Sequence, residues 1–393
     1  MKVGYFIEKF PYEDQYSCQE IYPCSGAEVA AEELAYAVSK QCGSVRVFTT
    51  SINSQTAVEY HDSVTIHRYG TTFHIVGRNV SIPSLCQTPK LSLDLCHTHV
   101  STEPLFPLIA RRHSKYNSCP LVLTCHINPG ASRENTPLTY QIASKAQEKS
   151  LLKAFSSADV IISPSEQIMQ QSPLLQRYSD KIEVIPNGIN LNAYNVSLSK
   201  EECRRILNIP QNRTMLLFVG NPHPNKGADI LVNAMVKIVQ EQTDVQLFFV
   251  GDGKFRQTLE SLVRKLNLTE KVTFVGYVPE SRKRMYYKAA DIFLLPSYFD
   301  VHPLVLLEAS SYSLPLVVSD IPALYGFIED ENNGVVTRVG DVEDLSQKII
   351  ELLDDKDYRI CLGKNARRKV EKEYTWDIVA DKTTKLYERL LGR

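Results

Sequence analysis

Short apolar runs rich in β-branched residues alternate with amphipathic stretches along the whole chain. In the first half these runs predict seven strands, at Val3–Ile7, Val45–Thr49, Val64–Tyr69, Leu93–His97, Leu121–Cys125, Val160–Ser163 and Ile182–Ile185. Helical spacing of apolar residues lies between several of them, for example over Ala27–Ser39 and Thr139–Phe155. Because parallel strands need helical crossovers, this alternation predicts an α/β domain with a mostly parallel sheet.

The second half repeats the pattern more regularly. It predicts six strands, at Met215–Gly220, Gln246–Val250, Val272–Val275, Ile292–Leu295, Leu316–Ser319 and Val335–Arg338. It also predicts five helices, at Gly227–Glu241, Phe255–Leu266, Arg282–Ala289, Leu304–Tyr312 and Val342–Asp354. Each helix carries an apolar stripe at helical spacing, as expected for a helix packed against a sheet.

The segment Pro186–Asn192 interrupts both patterns, because Pro, Asn and Gly follow one another there without periodicity. We therefore place a domain boundary near Gly188. The fold class predicted is α/β, with two Rossmann-like doubly wound domains that span 1–188 and 189–375. Domains of this kind bind ligands at the carboxyl ends of their strands, so we expect the site in a cleft between them.

Composition narrows the function classes. The 393 residues carry 44 Lys and Arg against 45 Asp and Glu, a net charge of −1, so no nucleic-acid partner is expected. Met1–Glu8 predicts a strand rather than a signal peptide. The chain contains no apolar run of about 18 residues. The nine cysteines include no CxxC pair, which is typical of free thiols in a reducing cytoplasm.

One short basic run leaves two interpretations open. Arg111–Lys115 follows the apolar stretch Leu105–Ala110. The first interpretation is a solvated helix end. The second is a contact with anionic lipid, which would make the protein peripheral to the inner face of the membrane.

Two acids flank a predicted helix start. The strand Ile292–Leu295 leads into a loop with Asp300, and the helix predicted from Leu304 places Glu308 about one turn in. The free N–H groups at a helix start bind phosphate well, whereas carboxylates accept hydrogen bonds from sugar hydroxyls. This order favours a hexose beside the first acid, a diphosphate at the helix start and a ribose beside the second acid.

The stretch Leu295–Ala309 (LPSYFDVHPLVLLEA) resembles the E-x7-E region of family-4 retaining glycosyltransferases, which have the GT-B fold. In that family the first acid contacts the donor sugar and the second binds the nucleotide ribose, which the resemblance assigns to Asp300 and Glu308. The family usually has Glu followed by Gly-Phe-Gly. Here the shorter Asp300 precedes Val-His302-Pro, and since proline has no N–H, the amides of Leu304 and Val305 are expected to hold the phosphates.

Other segments of the second half support the same resemblance. Phe218–Gly227 is similar to the family's G-R-x4-K-G loop, with Lys226 in the lysine position and Asn221 in place of the arginine. Val250–Gly253 resembles the G-x-G turn below the nucleotide and makes Gly251 a binding residue. Phe274–Pro279 resembles the strand end that reads the base, which adds Tyr277 and Val278. With His302, these complete the predicted nucleotide site.

The first half and the C-terminus also match. Cys24–Glu28 resembles the glycine-rich loop that approaches the donor phosphate, with Gly26 in the key position. Asp94–His99 and Leu123–His126 resemble the D-x-x-H-x-H and T-x-H strands, and the second implies that His126 contacts the donor sugar. Taken singly, each histidine is equally typical of a strand-end residue bonded to backbone. The last helix, 376–393, resembles the segment that packs back on the first domain.

The reaction implied is hexosyl transfer with retention from a nucleotide diphosphate sugar, with UDP-glucose as best guess, to a glycan or lipid-linked acceptor in cell-surface polysaccharide synthesis. His126, Asp300 and Lys226 are the predicted catalytic residues. No cofactor and no metal ion is expected, because the sequence has no DxD-like carboxylate cluster. Two alternatives remain: a sugar-nucleotide epimerase of GT-B fold, and a catalytically weak sugar-nucleotide-binding protein.

Overall fold

The computed structural model describes residues 1–12, 22, 24–75, 78–86, 91–101, 105–127, 149, 151–328 and 332–393. The chain divides into two compact units, one formed by Met1–Gly188 with Trp376–Arg393 and the other by Ile189–Thr375. Within the described residues, none of the helices combines the length and the apolarity needed to cross a bilayer.

The first unit is built on an eight-stranded sheet. Its strands are β1 (Lys2–Phe6), β2 (Ser44–Thr50), β3 (Ala57–His61), β4 (Val64–Tyr69), β7 (Leu95–Val100), β8 (Leu121–Cys125), β9 (Val160–Ser163) and β10 (Ile182–Val184), with the short pair β5 (Phe73–Ile75) and β6 (Arg78–Val80) apart from them. The spatial order is β10-β9-β8-β7-β1-β2-β4-β3. All neighbours are parallel except β3 and β4.

Helices cover this sheet and include the end of the chain. They are α1 (Gly26–Cys42), α2 (Ile82–Cys86), α3 (Leu105–Asn117), α4 (Glu166–Gln171), α5 (Pro173–Gln176) and, from the C-terminus, α14 (Trp376–Leu390). Residues 151–157 are also helical, whereas 139–148 and 150 of the helix predicted at Thr139–Phe155 lie outside the described residues. Trp376, the first residue of α14, packs directly on Gly188 of the same unit, since a Cβ on Gly188 would be 2.7 Å from the indole ring.

The second unit has a six-stranded parallel sheet. Its strands are β11 (Thr214–Val219), β12 (Val245–Val250), β13 (Val272–Gly276), β14 (Ile292–Leu295), β15 (Leu316–Ser319) and β16 (Gly334–Thr337), in the order β13-β12-β11-β14-β15-β16. Its helices are α6 (Lys200–Ile206), α7 (Ala228–Glu241), α8 (Arg256–Lys265), α9 (Glu280–Ala289), α10 (Leu304–Ser311), α11 (Pro322–Tyr325), α12 (Val342–Asp354) and α13 (Lys356–Glu373). The strands are almost fully buried, as their unbroken apolar sequences require.

Two differences from the predicted elements have physical reasons. The strand predicted at Leu93–His97 runs instead from Leu95 to Val100, because the polar residues at its end are buried and each is hydrogen-bonded to a residue outside the strand. The helices α6 and α13 are absent from the prediction, since both are rich in charge. The basic run near Arg111 belongs to α3, where Arg111 donates to Ser157 Oγ at 2.7 Å and Arg112 to the Leu85 carbonyl at 3.0 Å.

Candidate active site

The carboxyl ends of β11 and β14 form the switch point of the second unit. β11 pairs with β12 on one side and with β14 on the other, so the connections after β11 and β14 lead to opposite sides. In open α/β sheets this arrangement opens a crevice at the strand ends. The two loops are tied together here, because the Asn225 carbonyl accepts the N–H of Tyr298 at 2.8 Å.

Two predicted catalytic residues meet in this crevice. Lys226 Nζ lies 2.5 Å from Asp300 Oδ1, and the Asp300 side chain is only 10% exposed. Its second oxygen, Oδ2, is buried and has no hydrogen-bond donor among the described residues. A buried acceptor without a donor is costly and rare, so this oxygen is suited to a ligand hydroxyl.

Gly227 determines where Lys226 lies. It is the N-cap of α7 with φ of 64°, and a Cβ on it would be 1.9 Å from the Pro296 carbonyl oxygen. The backbone of the β11 loop therefore packs directly on the β14 loop, which fixes the spacing between Lys226 and Asp300. Only glycine allows this approach.

We expect Gly227→Ala to lower the free energy of unfolding by about 2 kcal/mol or more, because the left-handed conformation and the backbone clash both oppose the methyl group. Urea denaturation measures the change. Gly43→Ala is the matched control, since Gly43 has φ of 86° and a methyl group added there would meet no atom within 4 Å. Equal losses in the two variants would contradict the packing argument.

Three glycines end the adjacent strands β11, β12 and β13. Gly220, Gly251 and Gly276 all have positive φ, and the Gly251 N–H donates to the Gly276 carbonyl at 2.9 Å. A Cβ on Gly251 would lie 2.3 Å from the Gly220 carbonyl oxygen. The sheet edge is therefore open backbone at Gly220, which lets a ligand approach closely, while the Arg256 guanidinium lies 3.0 Å from where a Cβ on Gly276 would be.

The remaining predicted nucleotide residues surround this glycine row. Asn221 is exposed, and its Oδ1 lies 1.9 Å from the point that a Cβ added to Gly253 would occupy. Its side-chain amide therefore covers the turn after β12. Tyr277 is 41% exposed directly after β13, and Val278 is half-buried. The arrangement places all of them at the same sheet edge as Lys226.

The start of α10 lies beside Asp300. Its N-cap is Pro303, which provides no side-chain hydrogen bond, so the N–H groups of Leu304 and Val305 have no intrahelical acceptor. His302 stacks on Tyr374 with ring centroids 5.9 Å apart, and desolvation lowers the pKa of its imidazole to about 4. Because the histidine is neutral, an anion at this loop would have to rely on the uncapped amides of α10.

Glu308 is buried in a cage of donors from its own unit. Oε1 accepts from Tyr194 at 2.8 Å and from Lys283 at 3.0 Å, and Oε2 accepts from Tyr287 at 2.6 Å. Burial acts to raise the pKa of Glu308, but the Lys283 charge and the tyrosine hydroxyls hold the pKa below its usual value. Lys283 also pairs with Glu280 at 2.9 Å. The carboxylate is therefore ionised and well compensated.

This cage corrects part of the sequence argument for Glu308. The apolar helix around it predicts a carboxylate that depends on ribose hydroxyls, whereas Tyr194, Tyr287 and Lys283 supply three donors. One of the four lone-pair sites of the carboxylate, on Oε2, remains for a ligand. Tyr194 and Lys283 are missed by sequence reasoning, because nothing in their local patterns distinguishes them from other surface residues.

The first unit has its own switch point, between β1 and β7. His126 follows β8 and its Nε2 lies 3.0 Å from Nδ1 of His99 on β7, with the two rings nearly parallel. His99 is 3% exposed, and its burial and the neighbouring histidines keep its pKa well below the usual value. His99 is therefore a neutral partner that fixes the orientation of the His126 ring.

A second buried chain lies behind these histidines. His97 Nε2 bonds Thr124 Oγ1 at 2.7 Å, and His97 Nδ1 bonds the Tyr387 hydroxyl of α14 at 2.5 Å. The Tyr387 hydroxyl in turn lies 3.0 Å from that of Tyr5 on β1. Desolvation lowers the pKa of His97 to about 3, so it stays neutral and structural.

Gly26 lies exposed at the first position of α1. The Glu28 carboxylate accepts the N–H of Ser25 at 2.8 Å and forms a capping box with it. A carboxylate thus already occupies part of the positive end of α1, which makes this end a poorer phosphate site than the start of α10.

The residues that the structure describes contain no group of three or more His, Cys, Asp or Glu side chains placed to hold a metal ion. Lys226 and Lys283, each paired with a carboxylate, are two side-chain cations of the candidate site. The fold and this sheet-edge site together define a GT-B protein of the kind that binds nucleotide-linked ligands at the strand ends.

Comparison of the sequence with known protein families identifies the family of this chain. The family described as "Glycosyltransferase Family 4" matches residues 24–193, and "Glycosyl transferases group 1" matches residues 199–369. Between them the two matches cover most of both units. The chain belongs to the family-4 type of glycosyltransferases with the GT-B fold.

Individual proteins agree with this assignment. An uncharacterised glycosyltransferase of Methanocaldococcus jannaschii is 31% identical over 62% of this chain and 63% of its own length, so the chain spans less than two thirds of that relative. Sucrose-phosphate synthase of Thermosynechococcus elongatus superposes with a TM-score of 0.81 at 22% identity, covering 100% of this chain and 99% of that chain. HepE of Anabaena, solved with UDP-glucose, gives 0.75 at 18% identity over 99% and 100%.

Proposed function

We propose that this protein transfers a hexose from a nucleotide diphosphate sugar, with UDP-glucose as the preferred candidate, to a hydroxyl of a glycan or lipid-linked acceptor. The observation that carries the proposal is the Lys226–Asp300 pair at the switch point, with Asp300 Oδ2 buried and without a donor among the described residues. A sugar hydroxyl would supply that donor, and a diphosphate would bring the negative charge that an ammonium group attracts.

The proposed placement of the donor uses the rest of the sheet edge. The base lies against Tyr277 and Val278, and the diphosphate lies over the Gly251 row and the amides of Leu304 and Val305. Charge develops on the diphosphate oxygens as the sugar leaves. Lys226 and the α10 amides stabilise that charge without the need to move.

The stereochemical proposal is retention, by a front-face substitution. The bond from the anomeric carbon to the diphosphate oxygen breaks, the acceptor oxygen attacks the same face, and its proton passes to the departing phosphate. His126 and Asp300 orient the sugar in this scheme. HepE of Anabaena, whose crystal structure was determined in complex with UDP-glucose, supports the choice of UDP-glucose through its shared fold.

Two measurements test the proposal. A screen of sugar nucleotides by thermal unfolding is expected to single out UDP-glucose, because a ligand at 100 times its Kd stabilises the folded state by about 2.7 kcal/mol. Release of UDP should then require an added glycan or lipid-linked acceptor. UDP release with no acceptor means that water takes the sugar, which would favour a hydrolysing epimerase. Binding without turnover on any acceptor would identify the protein as a sugar-nucleotide binder.

We expect His99→Ala to lower kcat about tenfold, because the His126 ring loses the bond that orients it. His99→Asn keeps a polar atom near the Nδ1 position and should recover most of that loss. Steady-state kinetics across pH 6 to 9 measure both. His113→Asn is the control, since His113 is another buried histidine of the same unit, packed on Phe6 and Phe48. Asn and Ala variants of His99 with equal activity would contradict a positioning role.

A further inference from the structure

A second pocket lies in the second unit, away from the glycine row. It has a volume of about 320 Å³, within the range of small-molecule sites. Three chain segments line it: residues 191–196, the end of α9 with Lys288, and the end of α10 with residues 311–313. Arg367 of α13 completes it. Its described lining shares no residue with the predicted donor site.

The charges of this pocket have one sign. Lys288 and Arg367 both line it, and none of its described lining residues carries a carboxylate. The Lys288 ammonium forms no ion pair or side-chain hydrogen bond with any described residue. Arg367 is paired with Glu371 through Nε, so Lys288 is the unpaired charge among the described lining residues. A bound anion would give Lys288 a charge-assisted contact and could accept a second one from Arg367.

Helix dipoles explain only part of the placement of these two cations. Lys288 lies in the last turn of α9, and Arg367 donates through Nη1 to the Ser311 carbonyl at the end of α10. Arg367 Nε is bonded to Glu371 at 2.6 Å, while Nη2 has no acceptor among the described residues. Each cation therefore complements a helix end and still has donor capacity directed at no described protein acceptor.

Neutral hydrogen-bond donors line the pocket together with the two cations. The exposed amides of Asn192 and Asn195 and the hydroxyl of Ser313 belong to the same lining. Planar and tetrahedral oxyanions both accept several hydrogen bonds at once, and a phosphate monoester offers three acceptor oxygens with a charge near −2. The combination of two cations and three neutral donors fits that group best.

We propose that this pocket binds the phosphate monoester group of a small molecule or lipid, separately from the donor site. The pocket also shares a wall with the Glu308 cage. Tyr194 lines the pocket and donates to Glu308, and the ring of Tyr312, another lining residue, stacks on Tyr287 at 5.8 Å. An anion bound here therefore lies beside Tyr194, which donates to Glu308, and beside Tyr312, which stacks on the second tyrosine donor, Tyr287.

Isothermal titration of the full chain with inorganic phosphate tests the proposal. We expect saturable binding that weakens at least tenfold in Lys288→Gln and changes less than twofold in Lys265→Gln, which removes the same charge from the last turn of α8. Phosphate should also raise the melting temperature of the wild type but not of Lys288→Gln, while both melt alike in phosphate-free buffer. No saturable binding by the wild type, or equal affinity in Lys288→Gln, would overturn the proposal.

A vesicle experiment then separates the two sources of the phosphate group. Phosphatidic acid vesicles present the monoester on a lipid, and phosphatidylcholine vesicles serve as the blank. Cosedimentation that depends on Lys288 assigns the pocket to a lipid headgroup. Binding of inorganic phosphate without such cosedimentation assigns it to a soluble phosphorylated compound.

Discussion

Glu308→Ala is expected to lower the free energy of unfolding by about 3 kcal/mol, in addition to any effect on activity. The substitution leaves Lys283 with one carboxylate partner instead of two and removes the acceptor of Tyr287, whose ring is fully buried. A buried hydroxyl without a partner alone costs about 1–3 kcal/mol. Urea denaturation followed by circular dichroism measures the loss.

Glu280→Ala is the matched control. Glu280 is the other carboxylate on Lys283 but is 47% exposed, so its removal should cost less than about 1 kcal/mol. Similar losses in Glu280→Ala and Glu308→Ala would show that burial of the Glu308 cage does not matter for stability.

Activity of Glu308 variants must therefore be measured on folded protein. Glu308→Gln keeps one acceptor oxygen for the cage and nearly the same volume while it removes the charge, so it separates packing from charge. If a ribose hydroxyl bonds the free site on Oε2, the KM for the donor should rise more than tenfold in Glu308→Gln. A donor KM within twofold of the wild-type value would indicate that Glu308 has a structural role and does not bind the donor.

Lys226→Ala is expected to lower kcat/KM about 100-fold, because Lys226 is the cation nearest the proposed diphosphate and its loss removes stabilisation of the developing charge. It also leaves the buried Asp300 without its only described donor. Initial rates of nucleoside diphosphate release at saturating acceptor measure the effect.

Two comparisons make this result specific. Lys265→Ala removes the same charge from the last turn of α8 and should leave kcat/KM unchanged. The double variant with Asp300→Ala tests coupling, since residues that act as one unit lose less together than the sum of their single losses. Full additivity would indicate that Lys226 and Asp300 act on the ligand independently.

Much of this fold follows from residue patterns alone. The strands Val64–Tyr69, Leu121–Cys125, Val160–Ser163, Ile292–Leu295 and Leu316–Ser319 have the predicted bounds. Except for the first, whose burial alternates, these strands are buried at every residue, so their apolar runs end where burial ends. β3 is absent from the prediction because it is an edge strand with mostly exposed residues, and such a strand has no buried face to leave a pattern.

The site is predictable only in part, and for a physical reason. Lys226 and Asp300 lie in loops after adjacent strands, so topology alone brings them to one sheet edge. The Glu308 cage is different, because Tyr194 from the segment before α6, Lys283 from α9 and Glu308 from α10 are far apart in sequence and meet only in the folded unit. The His99–His126 bond, like the Lys226–Asp300 pair, follows from topology, since β7 and β8 are neighbours.

The return of α14 to the first unit has a consequence for synthesis on the ribosome. Tyr5 and Tyr387 are bonded through their hydroxyls although 382 positions separate them, and His97 depends on the same Tyr387. Domains form during translation once their own residues have emerged. The first unit must therefore wait for the last helix, whereas residues 189–375 emerge complete before it, so the half translated first is the half finished last.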